Sequence, residues 1–193
     1  MSQSALFDLV LVLPRVSSNS ALFRHYGVSP WEIEVIFDTL RRSFEVEEEQ
    51  LRPNDPRFVS VIEVSFPVPY NDDFFQKFSM ESWFKIKGVL KDVKRRRGKK
   101  GFRTCLQFFG IAEKTKLSIL FPLSAKNDRP FEMGIEKIEY LVDIVPVQLK
   151  ELPVGVSEVW YTFDEESFKW QPDFARVADG SKYILKGDVW KPT

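Results

Sequence analysis

Histidine and cysteine each occur once in this chain, as His25 and Cys105, and that scarcity removes several chemistries at the outset. One cysteine forbids an internal disulfide and any cysteine-cluster metal site. One histidine forbids a metal site built on two imidazoles. Cys105, beside Leu106 in an alternating run, is placed like an inert buried thiol, and His25, between Phe23 and Tyr26, like a structural ring. No Asn-x-Ser/Thr site occurs. The apolar stretch from Ala5 to Leu13 is too short to cross a bilayer, contains Asp8 and follows no positive charge. It reads as a strand closed by Pro14, so neither a targeting segment nor a transmembrane segment is expected, and the expected location is cytoplasmic. Charge of one sign is not in excess: 28 basic residues meet 28 acidic ones, which argues against a uniformly basic nucleic-acid coat. The run Arg96 to Gly101 is not a P-loop, since no glycine stands five residues before a Gly-Lys-Ser/Thr. No catalytic constellation and no cofactor site emerge, and Asp164-Glu165-Glu166 reads as a turn. The expected protein is a non-catalytic binder.

Aromatic residues are plentiful. Eighteen of the 193 residues are Phe, enough to build a sizeable core in one domain. The expected organisation is an N-terminal strand with a helical arm over 1–50, then a β-rich body over 57–190. Ser29-Pro30-Trp31-Glu32 has the form of a capping box with proline at the first helical position. Ile33, Ile36, Phe37, Leu40 and Phe44 follow at helical spacing, leaving Glu32, Glu34, Asp38, Arg41 and Arg42 outside. Pro53, Asn54, Asp55 and Pro56 mark a turn. Strands are expected over 57–66, 116–121, 159–163 and 183–189, with Phe168 and Trp170 resuming after the 164–167 turn. Asn71 reads as the cap of a helix over 74–78, and Asn127-Asp128 with Pro130 as the start of a helix running toward Pro146.

One stretch stands apart, Trp83 to Gly110. Between Lys85 and Arg103 it holds ten basic residues and one acid, while the rest of the chain holds 18 basic and 27 acidic residues. Period-two alternation predicts a hairpin. Phe84, Ile86, Gly88 and Leu90 share one strand face and Lys85, Lys87 and Lys91 the other. After a basic tip at 94–101, Phe102, Thr104, Leu106 and Phe108 face one way and Arg103, Cys105, Gln107 and Phe109 the other. The candidate nucleic-acid-binding residues are therefore Lys85, Lys87, Lys91, Lys94, Arg95, Arg96, Arg97, Lys99, Lys100 and Arg103, with Trp83 and Phe109 to stack on bases. Phosphate of RNA or single-stranded DNA is the expected partner; an acidic protein or an anionic membrane surface is the alternative, and a solvated loop is the plain reading. The acidic run Glu45, Glu47, Glu48, Glu49 is read as solvated surface ahead of a metal site, or as a mask over the basic hairpin. The fold class is α+β: an antiparallel sheet or a partly open OB-like barrel, with an N-terminal amphipathic helix and one further helix.

Overall fold

The computed structural model describes residues 20–52, 55–110, 117–187 and 189–193. The expected strand over 5–13 lies outside these residues, as do Pro53, Asn54 and Lys116. Among the described residues nine strands form one open sheet: β1 (Ser20–Tyr26), β2 (Glu45–Gln50), β3 (Ser60–Phe66), β4 (Phe102–Phe109), β5 (Ser118–Leu123), β6 (Val156–Asp164), β7 (Lys169–Val177), β8 (Lys182–Lys186) and β9 (Val189–Pro192). Their spatial order is β2-β1-β3-β4-β5-β6-β7-β8-β9. The ends do not meet, so the sheet is not a closed barrel of the OB kind. The five helices are α1 (Pro30–Leu40), α2 (Asp72–Phe78), α3 (Met80–Arg97), α4 (Asp128–Lys137) and α5 (Ile144–Gln148). Among the described residues no helix is long and apolar enough to cross a membrane.

The topology is a repeated device. β1–β2, β3–β4 and β5–β6 pair in parallel, each joined by a helical crossover; the other five pairings are antiparallel. Parallel neighbours need such a crossover because a tight turn cannot reverse the chain twice. The crossovers lay α1, α3 and α4 side by side on one sheet face, with α3 in the middle. The core lies beneath: Phe66, Phe74, Phe78, Trp83 and Phe108 pack edge-on, tilted or stacked at ring-centre separations of 4.9–6.4 Å, Phe66–Phe74 and Trp83–Phe108 marking the two ends of that range. Truncating one such buried ring to alanine typically costs about 3–5 kcal/mol.

Local signals were followed closely in places. Ser29 and Glu32 form the reciprocal capping box of α1, Pro30 sits in its first turn, and the Asn71 side chain accepts the Phe74 N–H at the start of α2. Asp164 accepts from the Glu166 N–H and the Ser167 hydroxyl in the β6–β7 turn. The expected single strand over 183–189 is instead two strands, broken after Lys186 by Gly187 at φ +64°.

The 83–110 hairpin is not formed. Its first half is helix α3, capped by Ser79, and only its second half is a strand. Apolar alternation held for eight residues, but over the longer window Trp83, Ile86, Val89, Leu90 and Val93 recur every three or four positions and are all buried. Lys87 and Lys94 stand in the same buried stripe, which breaks the apolar pattern a helix normally prints on its sequence. The chain turns from α3 into β4 at Gly101, φ +93°, where a Cβ would come within 1.8 Å of the Arg57 carbonyl oxygen. Within β4 the expected faces hold: Phe102, Leu106 and Phe108 enter the main core, and Cys105 joins Leu120 and Trp160 on the opposite face. The acidic run forms β2, an exposed edge strand beside β1, where a row of carboxylates discourages pairing with another chain.

Candidate functional site

Helix α3 carries most of the segment's positive charge, and its geometry sorts the cations by the neighbour each faces. Toward α4, the Lys87 amine meets Glu139 and, at 2.7 Å, Glu136; Lys91 also bonds Glu136. The same Glu139 accepts the Trp83 indole N–H at 3.1 Å. Burial pushes the Glu136 carboxyl up, but hydrogen bonds from Lys87 and Lys91 outweigh it and hold the group below its ordinary value. Arg95 pairs with Glu132 at 2.7 Å. Toward α1, Arg96 and Arg97 lie 2.8 and 3.1 Å from the fully buried Glu32. Arg97 also donates to the Gly27 carbonyl and, at 3.3 Å, to the Ser60 hydroxyl. Inward, the Lys94 amine donates to the carbonyls of Ala125 and Lys126, and burial pushes its pKa down.

These contacts redraw the candidate set. Trp83 is 0 % exposed and cannot stack on a base. Lys87 and Lys94 are buried inside the helix layer. Arg103 is buried on the other face of the sheet, where Glu63 bridges it at 3.2 Å and Arg24 at 2.5 Å. Phe109 is half-buried at the far end of β4, about 20 Å along the strand from the basic turn. Glu32, expected outside, is the buried anchor of two arginines. Among the described residues the carboxylates paired with the basic residues of α3 come mainly from α1 and the α4 region rather than from the acidic strand β2.

Apart from Lys85 near the start of α3, what remains on the surface clusters where α3 runs into the short 3-10 turn at Gly98–Lys100. Lys85, Lys99 and Lys100 are exposed and have no carboxylate at ion-pair distance among the described residues. Arg95 and Arg96 keep about half of each side chain in solvent, and Trp31, 54 % exposed, lies under the Arg96 guanidinium at 5.9 Å. Around the corner the Arg57 and Arg103 guanidinium groups both approach the Phe58 ring, at 5.7 and 5.4 Å. A hydrogen bond from Arg57, with help from the Arg57 and Arg103 charges, holds Asp55 below the usual carboxylate range against the effect of burial. A band of guanidinium groups and aromatic faces thus wraps this end of the sheet. Trp31 had been legible only as part of a cap; its five-residue offset from Ile36, about 140° around a helix, was the signal that it faces out.

The register also settles the pairing of the two reactive residue types. His25 stands beside Ile62 of β3, whereas Cys105 stands beside Glu63, so their side chains lie on opposite faces. The imidazole Nε2 contacts Glu48 at 3.0 Å. Burial pushes the Cys105 thiol pKa up, with the Glu63 charge adding to it. Among the described residues no three His, Cys, Asp or Glu side chains gather closely enough to hold a metal ion. Neither a family model, nor a curated protein, nor a solved structure matches the chain.

Proposed function

We propose that this protein is a non-catalytic binder of nucleic-acid phosphate, RNA or single-stranded DNA, acting through the end of the molecule where α3 turns into β4. The observation that carries the reading is the pair of exposed lysines, Lys99 and Lys100, with no carboxylate at ion-pair distance among the described residues, flanked by half-exposed Arg95 and by half-exposed Arg96 over the exposed Trp31 ring. Flexible ammonium groups neutralise phosphates as point charges, guanidinium forks add directional hydrogen bonds, and an exposed indole offers a stacking surface that tolerates any base.

Fluorescence polarisation with single-stranded RNA and DNA tests it. Four phosphate contacts imply a log–log salt slope near −3, so affinity falls about 50-fold between 50 and 200 mM salt. Lys99→Glu with Lys100→Glu abolishes binding without touching a structural contact, and Trp31→Ala weakens it further. Binding that ignores salt, or survives the double charge reversal, refutes the reading.

A second reading has its own support. Phe84, 52 % exposed, and Met80, 39 % exposed, stand one turn apart on α3, with the Lys87 amine 4.7 Å from the Phe84 ring centre and Lys85 next in sequence. Apolar side chains beside cations suit docking on an acidic protein surface better than on phosphate. Retention of a protein partner after nuclease treatment, lost in Phe84→Asp, distinguishes this reading from the first.

A further inference from the structure

The helix layer does not extend over the whole sheet. Beyond α4, the 3-10 turn at Ile138–Leu141 and the short α5 leave β7 and β8 partly uncovered, and a groove of about 960 Å³ opens between them. Its floor is apolar: Trp170 and Pro172 of β7, Leu185 of β8 and Leu141. One wall presents Tyr140, Ile144 and Val147, which are 73, 47 and 72 % exposed. Large apolar side chains that open to water in a single concave patch mark a place where something binds. The volume lies at the upper end of the range for small-molecule pockets, roughly 300–1,000 Å³.

Three lysines, Lys137, Lys150 and Lys169, line the groove, and none has a carboxylate at ion-pair distance among the described residues. The one acid of the lining, Glu151, makes no ion pair with them. This contrasts with α3, where most cations are matched by glutamates. The Lys137 amine donates to the Phe168 carbonyl at 2.6 Å, which leaves two of its three hydrogens for another acceptor. Phe168 itself holds φ +52°, a left-handed conformation rare for an aromatic residue, at the edge of the groove. Such strain persists where the surroundings hold it and gathers at binding sites. Across from Leu185 in the β8–β9 pairing, the buried Trp190 indole N–H has no acceptor among the described residues.

We propose that this groove binds an amphipathic carboxylate, a molecule with an alkyl body and one acidic head. The alkyl chain lies along Trp170, Leu185, Ile144 and Val147, and the head is drawn to the lysines of the lining. A neutral molecule of the same shape fills the floor but leaves the ammonium groups without a counter-charge. A cationic one meets like charge.

Isothermal titration of the full chain with dodecanoate, dodecanol and dodecylamine, all below micelle formation, tests this. Dodecanoate is expected to bind at least tenfold more tightly than dodecanol, and dodecylamine not at all. The Lys150 and Lys169 side chains are exposed and make no hydrogen bond or ion pair among the described residues, so Lys150→Glu with Lys169→Glu leaves the fold intact; it lowers dodecanoate affinity at least tenfold and spares dodecanol. Val147→Asp weakens both the acid and the alcohol. Equal affinity for acid and alcohol, failure of dodecanoate to bind, or indifference to the lysine reversal overturns the assignment. Far-ultraviolet circular dichroism of each variant separates loss of the ligand from loss of the fold.

Discussion

Neutralising Glu32 and removing its arginines should have unequal effects, and the inequality follows from where each charge sits. The carboxylate is fully buried, while Arg96 and Arg97 keep about 50 and 25 % of their side chains exposed. Glu32→Gln preserves the capping box, since glutamine at that position still accepts the Ser29 N–H, which Glu32 holds at 2.6 Å. The freed guanidinium groups turn to water, so the loss is that of two partly screened ion pairs, about 1–2 kcal/mol. Arg96→Ala with Arg97→Ala instead strands a buried carboxylate on one backbone donor, for which about 3–5 kcal/mol is the general cost. Adding Glu32→Gln to that double variant removes the stranded charge and should recover most of the loss. The residue left unrecovered reflects the Arg97 bonds to Gly27 and Ser60. Urea unfolding followed by tryptophan fluorescence resolves these differences. With a slope of about 2 kcal/mol/M, Glu32→Gln lowers the midpoint by roughly 0.5–1 M and the arginine pair by roughly 1.5–2.5 M. Equal shifts, or a triple variant no better than the double, refute the electrostatic account of the α1–α3 contact. If the proposed phosphate site is right, Glu32→Gln also tightens single-stranded RNA binding at low salt, because two guanidinium groups lose their internal competitor.

The α3–α4 contact makes a parallel case. Lys87→Met leaves the Glu139 carboxylate, whose side chain is only 9 % exposed, without its cation and should cost about 3 kcal/mol, with partial rescue by Glu139→Gln, measured by the same urea titration. Glu136 is held below its ordinary pKa in the folded state, so it contributes stability above about pH 4.3 that is lost as pH falls through the folded value. Glu136→Gln should flatten that acid limb, and an unchanged limb refutes the contribution. Cys105, buried with its thiol pKa raised, should react with a disulfide reagent at pH 8 only as fast as the protein unfolds. Rapid labelling of the native protein would place it at the surface instead.

Elements defined by their own neighbours in sequence were legible. The α1 capping box, the Asn71 cap of α2, the two faces of β4 and the 164–167 turn each depend on residues within one or two turns of chain. The helix of the basic stretch was not, because what makes α3 a helix is partly supplied from far away. Lys87 reads as polar and solvent-facing until Glu136 and Glu139, about fifty residues on, are set beside it. Lys94 reads the same way until the carbonyls at 125 and 126 arrive. With both counted as polar, the buried stripe of α3 loses its period and the alternation of Phe84, Ile86, Gly88 and Leu90 fills the gap. The surplus charge was misread for the same reason. A count along the chain sees ten cations and one acid, whereas the folded helix layer brings in Glu32, Glu132, Glu136 and Glu139. Of this segment's cations only Lys85, near the start of α3, and Lys99 and Lys100, beyond its end, then lack a partner among the described residues, since Lys94 is held by carbonyls and Arg103 by Glu63. Any anion that binds at the α3–β4 turn therefore meets Lys99 and Lys100 first, and gains the arginines only by drawing them from glutamates they already hold. That competition is why affinity should respond to Glu32→Gln as well as to the lysines, and why a plain charge count overstates the site.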